Sequence, residues 1–128
     1  MRIEHLAIWT RDVDALCAFY ARWFEATAGA PYESARRAGF RSRFVTFPDA
    51  GARLEVMTLP ELAPPAGPLA LGITHLAITV GSRAAVETLV ERMRAAGVSV
   101  RSEPRLTGDG YYEAVVVDPD GNEVEIVA

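Results

Sequence analysis

Cysteine is all but missing: Cys17 stands alone, which excludes an intrachain disulfide and points to a reducing, cytoplasmic compartment. No apolar run approaches the ~18 residues that a membrane span needs. No basic start followed by an apolar stretch opens the chain, so neither a span nor a signal peptide is expected. Basic clusters are equally scarce. No run of Lys or Arg exceeds the pair Arg36–Arg37, and the 128 residues carry a formal net charge of -4 with a pI near 5.2. That balance argues against a nucleic-acid partner, which wants a basic patch, and nothing suggests a membrane partner. Histidine is limited to His5 and His75.

What is present fits a soluble globular chain, with half of the residues apolar, 23% charged, ten glycines and eight prolines. The length suits one domain, or two small modules sharing a core, and can bury roughly two thirds of the unfolded chain's surface without staples.

The segment 3–9, IEHLAIW, reads as a strand. Asp12 or Thr10 can cap a helix whose stripe is Val13, Leu16, Cys17, Tyr20, Trp23 and Phe24, with Gly29 and Pro31 marking its end. Strands follow at 39–47 and 53–57, around a turn at 48–51. A Pro- and Ala-rich linker, 59–72, separates a module 1–58 from a module 73–128 within a single 1–128 domain. The second module repeats the plan: a strand at 73–80, a helix capped by Ser82 and closed by Gly97, and strands at 98–103, 111–118 and 122–128. DPDG at 118–121 is a strong turn signal.

Both histidines open the tetrapeptide HLAI, 70 residues apart, and Gly51 and Glu55 find partners in Gly121 and Glu125 at that same offset. Three coincidences in one register indicate an internal duplication. Strand alternation puts Leu6 and Ile8 on one face and His5, Ala7 and Trp9 on the other; Glu55 and Glu125 likewise oppose a helix-facing pair. If each module's last strand neighbours its first, each His lies beside a Glu. Two imidazoles and two carboxylates suit one divalent ion of zinc, iron, cobalt, nickel or manganese. The same pattern is compatible with two hydrogen-bonded His–Glu pairs and no metal.

The two-module plan, the HLAI starts and the ending DPDGNEVEI resemble the vicinal oxygen chelate superfamily, over essentially the whole chain. That superfamily includes glyoxalase I, extradiol dioxygenases, an epimerase, and fosfomycin- and bleomycin-resistance proteins. The resemblance implies an α+β fold of two tandem βαβββ modules forming a half-closed, barrel-like trough, often within a homodimer. It implies metal ligands at His5, Glu55, His75 and Glu125, a set most similar to that of bacterial glyoxalase I. The implied chemistry is lyase or isomerase action on a small substrate with adjacent oxygens, through a metal-held enediolate, with Glu125 as the favoured base and Glu55 as the alternate. Two positions depart from glyoxalase I: Trp9 and Leu59 stand where that enzyme has an arginine and an asparagine for glutathione. Trp9, Met57, Arg43 and Tyr111 are the candidate substrate contacts. Rival readings are a metal-free binding protein of the bleomycin-resistance type, an iron-dependent extradiol dioxygenase and a metal-dependent epimerase. Cys17 reads as core, Asp118 and Asp120 as turn residues, and Arg101 and Arg105 as surface residues of which one could hold a carboxylate.

Overall fold

A computed structural model describes residues 1–48, 51–64 and 71–128, and the chain divides into two compact units, Met1–Pro65 and Ala66–Ala128. In the first, β1 (His5–Trp9) leads to α1 (Val13–Phe24), two short strands β2 (Thr27–Ala28) and β3 (Tyr32–Glu33), and then β4 (Arg41–Thr46) and β5 (Arg53–Thr58). In the second, β6 (His75–Thr79) leads to α2 (Arg83–Ala95), β7 (Val100–Leu106), β8 (Tyr112–Val117) and β9 (Glu123–Val127). The architecture is α+β; unit 2 is βαβββ, and unit 1 keeps that plan with the two short strands β2 and β3, both paired with β4, in place of one. The turn at 48–51 and the linker at 59–72 lie partly outside the described residues, at 49–50 and 65–70.

In each unit the first and last strands pair in parallel, giving the orders β1-β5-β4-β2, with β3 also on β4, and β6-β9-β8-β7. A parallel pair needs a crossover, and the helix supplies it while covering one face of the sheet. In unit 1, Leu16, Cys17, Tyr20 and Trp23 of α1 are buried together with Val45, Leu54 and Val56. In unit 2, Val86, Leu89, Val90 and Met93 of α2 are buried together with Ala114, Val116, Val124 and Ile126. Each fully buried aliphatic side chain of this kind contributes ~1.5–3 kcal/mol.

Local chemistry sets the helix ends. Asp12 caps α1, its Oδ1 accepting from the Ala15 N–H at 3.0 Å, and the Thr10 hydroxyl accepts in turn from the Asp12 N–H at 3.0 Å. Asp12→Ala is expected to destabilise unit 1 by ~1 kcal/mol, read as a lower urea midpoint; an unmoved midpoint would mean the cap contributes nothing. The helix stops at Glu25, which adopts the left-handed conformation at φ 54°, ahead of the expected Gly29. Ser82 caps α2, and Gly97 at φ 85° closes it in a Schellman turn: Val98 N–H donates to Met93 O and Gly97 N–H to Arg94 O. β7 runs past Pro104 to Leu106, further than its sequence suggests. It is an edge strand with register shifts between Val100 and Arg105, where a missing N–H is tolerated. Asp118 organises the following turn by accepting from the Asp120 and Asn122 N–H groups at 3.0 and 2.9 Å.

One detail separates the two hairpins. Glu55 faces Phe44 across β4–β5, whereas Glu125 faces Val115 across β8–β9, so the flanking strands match at an offset of 71 instead of 70.

Candidate metal centre

In unit 1 the parallel register sets His5 opposite Arg53 and Ala7 opposite Glu55. In unit 2 it sets His75 opposite Glu123 and Ala77 opposite Glu125, the same register 70 residues on. Each His and its Glu therefore share the sheet face turned away from the helix, two residues apart along neighbouring strands. His5 Nε2 stands 3.7 Å from Glu55 Oε2, and His75 Nε2 stands 3.4 Å from Glu125 Oε2.

Those separations allow a test of fit. Two donors ~2.1 Å from one ion lie ~3.0–3.6 Å apart for angles of ~90–120° at the ion. Both pairs fall within or just above that span. The side chains of Glu55 and Glu125 are 21% and 19% exposed and those of His5 and His75 39% and 40%, so the pairs are part-sheltered yet open. Among the described residues no group of three or more His, Cys, Asp or Glu is placed to hold a metal ion. Each unit by itself thus offers an N/O pair, which fits half of the coordination of a divalent ion.

The surroundings of the two pairs differ. In unit 1 the His5 Nδ1 meets the Glu4 carboxylate, and Arg53 also binds Glu4. The His5 hydrogen bond first, then that from Arg53, holds the Glu4 carboxyl below its usual range. The Arg53 guanidinium lies 4.1 Å over the Phe44 ring, which meets the His5 ring in a T-shaped contact at 5.5 Å between centroids. Further along β1, Trp9 stacks edgewise on Phe40 at 6.3 Å, as does Tyr32, and Met57 lies across from Trp9.

In unit 2 the His75 Nδ1 meets the Thr74 hydroxyl, at 3.1 Å. The pair lines an open concavity of about 650 Å³, shared with Ala77, Arg105, Tyr111 and Glu113. Arg105 reaches Glu113 at 3.6 Å. Tyr112 turns the other way, donating to Glu87 of α2 at 2.7 Å.

Of the residues singled out from sequence, His5 with Glu55, and His75 with Glu125 and Tyr111, are brought together within their units. Trp9 and Met57 lie side by side on the same face as His5. Arg43 is not brought to this face. It pairs in register with the buried Val56, on the helix side, and its guanidinium is spent on Asp14 at 2.9 Å and the Gly29 carbonyl at 2.9 Å. Arg41 is likewise engaged by Glu33 at 3.3 Å. Leu59 is buried, and burial pushes the Cys17 thiol up, as suits a core residue. Sequence reasoning missed Glu4, Arg53 and Thr74 as neighbours of the imidazoles. The signal available was the polar residue directly before each histidine.

Two βαβββ repeats, each raising a His–Glu pair in the same register onto the bare face of its sheet, define a duplicated α+β class of protein. The chain belongs to the Glyoxalase/Bleomycin resistance protein/Dioxygenase superfamily, which it matches over residues 2–126. Among solved structures it is similar to a glyoxylase/bleomycin resistance protein/dioxygenase domain from Frankia sp. EAN1pec, with TM-score 0.83 and 16% identity over 99% of this chain and 96% of that one. It is similar to the trypanothione-dependent glyoxalase I of Leishmania major, with TM-score 0.78 and 25% identity over 99% and 86% of the two chains. Glyoxalase I from Zea mays gives TM-score 0.80 at 20% identity, covering 98% of this chain but 44% of that longer one. No curated protein matches by sequence.

Proposed function

We propose that the protein is a glyoxalase I-like, divalent-metal-dependent lyase or isomerase acting on a small substrate with adjacent oxygens. The observation that carries this reading is the repeated His–Glu pair, with Nε2–Oε2 separations of 3.7 and 3.4 Å in matched strand registers. His5, Glu55, His75 and Glu125 would hold one zinc, nickel, cobalt, manganese or iron ion, in a homodimer as the family resemblance implies. When bound, such an ion supplies Lewis-acid polarisation of the substrate carbonyl. Glu125 takes the proton from the carbon beside that carbonyl and returns it one carbon over, with Glu55 as the alternate base. Tyr111 borders the concavity that holds Glu125, and Trp9 and Met57 give the other pair an apolar flank.

Glutathione is a poor fit. Asp109, Glu113 and Glu125 outnumber Arg105 around the concavity, and apolar Trp9 and buried Leu59 offer a charged tripeptide no anchor.

The test uses untagged protein loaded with each ion in D2O. Hydroxyketones and thiol adducts of a 2-oxoaldehyde are followed by NMR for isomerisation and for exchange of the carbon-bound hydrogen. Wild type is expected to turn over at least one of them, and Glu125→Gln to be ~10²–10⁴-fold slower. Metal uptake without turnover or exchange on the whole panel counts against isomerase chemistry. A second reading, metal-free small-molecule binding, is favoured by the exposed aromatics Trp9 and Tyr32, 45% and 56% exposed, that flank Phe40. Ligand-dependent quenching of Trp9 fluorescence in protein that takes up no metal would support it.

A further inference from the structure

The two imidazoles sit at equivalent places in a duplicated fold, yet their Nδ1 atoms meet different chemistry. His5 has a carboxylate, Glu4, and His75 has a hydroxyl, Thr74. A carboxylate can only accept, so a neutral His5 ring bound to it carries its proton on Nδ1 and leaves the Nε2 lone pair aimed at the gap beside Glu55. A hydroxyl donates or accepts with equal ease and leaves the His75 tautomer open.

The difference extends beyond one hydrogen bond. Glu4 is gripped by Arg53, Arg53 lies over Phe44, and Phe44 packs on the His5 ring, so contacts run in a closed circuit around the imidazole. The matching residues of unit 2 cannot build that circuit. Glu123 stands where Arg53 does and is turned to Arg101 at 3.4 Å, and Val115 faces Glu125 where Phe44 faces Glu55.

We propose that Glu4 is a positioning residue, braced by Arg53 and Phe44, that locks His5 in the ligating tautomer and makes the His5–Glu55 pair the anchoring half of the centre. The His75–Glu125 pair, with only a hydroxyl named against its Nδ1, is then the looser of the two. The inference rests on the metal reading above and adds a division of labour to it.

The test compares wild type, Glu4→Ala and Thr74→Val in two measurements. Long-range ¹⁵N–¹H spectra of the apo proteins read the imidazole tautomers, and chelator competition reads zinc affinity. Glu4 is half-exposed and precedes β1, so thermal unfolding should be unchanged and serves as the control for folding. The expected result is a His5 ring protonated at Nδ1 in wild type and mixed in Glu4→Ala. Zinc binding should weaken ~10–100-fold in Glu4→Ala and less than ~3-fold in Thr74→Val. An unchanged His5 tautomer in Glu4→Ala overturns the positioning role. Equal affinity losses in the two variants overturn the anchoring asymmetry. Wild type that takes up no zinc while His5 keeps its Nδ1 proton overturns the metal reading and with it the anchoring role, yet leaves the hold of Glu4 on the ring established.

Discussion

On the proposed metal reading, His75→Ala should lose the divalent ion that wild type takes up. Removing Nε2 leaves Glu125 as the sole donor of its pair, a carboxylate only 19% exposed that loses the imidazole 3.4 Å away. The drop in affinity should exceed the ~10–100-fold that outer partners of a metal ligand cost. Plasma mass spectrometry of untagged protein, purified without chelator, reads it directly: about one ion per four-ligand set in wild type and a small residue in the variant. Equal loading of the two proteins would place the ion elsewhere. Wild type that stays empty after reloading with zinc, nickel, cobalt, manganese and iron would reduce both pairs to close His–Glu contacts without a metal role. The identity of the retained ion also ranks the reactions, since nickel, cobalt or zinc suits isomerisation and iron suits ring cleavage.

The second large effect belongs to the core. Ile126 is fully buried on β9, between β6 and β8, and is the immediate neighbour of Glu125. Ile126→Ala removes most of that side chain from a packed layer containing Val86, Val116 and Val124, and is expected to cost ~3 kcal/mol. At ~4–8 °C per kcal/mol for a unit this small, the unfolding temperature should fall by more than ~10 °C. Ile126→Val should cost ~1 kcal/mol, which separates a packing effect from a general intolerance of change at β9. A loss under ~1 kcal/mol for the alanine variant would mean the site collapses around the missing atoms, and the account of the core would need revision.

The pairing of each histidine with a glutamate was legible in the sequence. Period-two alternation and the offset of 70 put His5 beside Glu55 and His75 beside Glu125, because a parallel pair of strands joined through one helix leaves little freedom in register. Arg43 falls on the other face from the one a substrate contact would need, for a related reason. Its face depends on the parity of the hairpin that follows, and the alternation of β5 had to be carried across that turn to see that Phe44, not Arg43, lies opposite Glu55. Glu4 was hidden by the opposite error. A strand counted from residue 3 places it with Leu6 on the helix side, but β1 starts at His5, so Glu4 obeys no alternation and turns back to its neighbour. Strands of two residues, such as β2 and β3, have no period to detect. α1 ends at Glu25 rather than Gly29, with a non-glycine residue in the left-handed conformation that glycine would adopt without cost.

The mismatch between the hairpins has a consequence for how such a duplication diversifies. The strands bearing the paired histidines and glutamates have stayed in step, residue for residue, while the strand beside each has slipped by one position relative to its counterpart. The connection between β4 and β5 is one residue longer than that between β8 and β9, so different side chains look onto each pair: Phe44 and Ser42 in one half, Val115 and Glu113 in the other. The two copies came to offer unlike walls around like ligands, so chemistry and selectivity could change by separate steps.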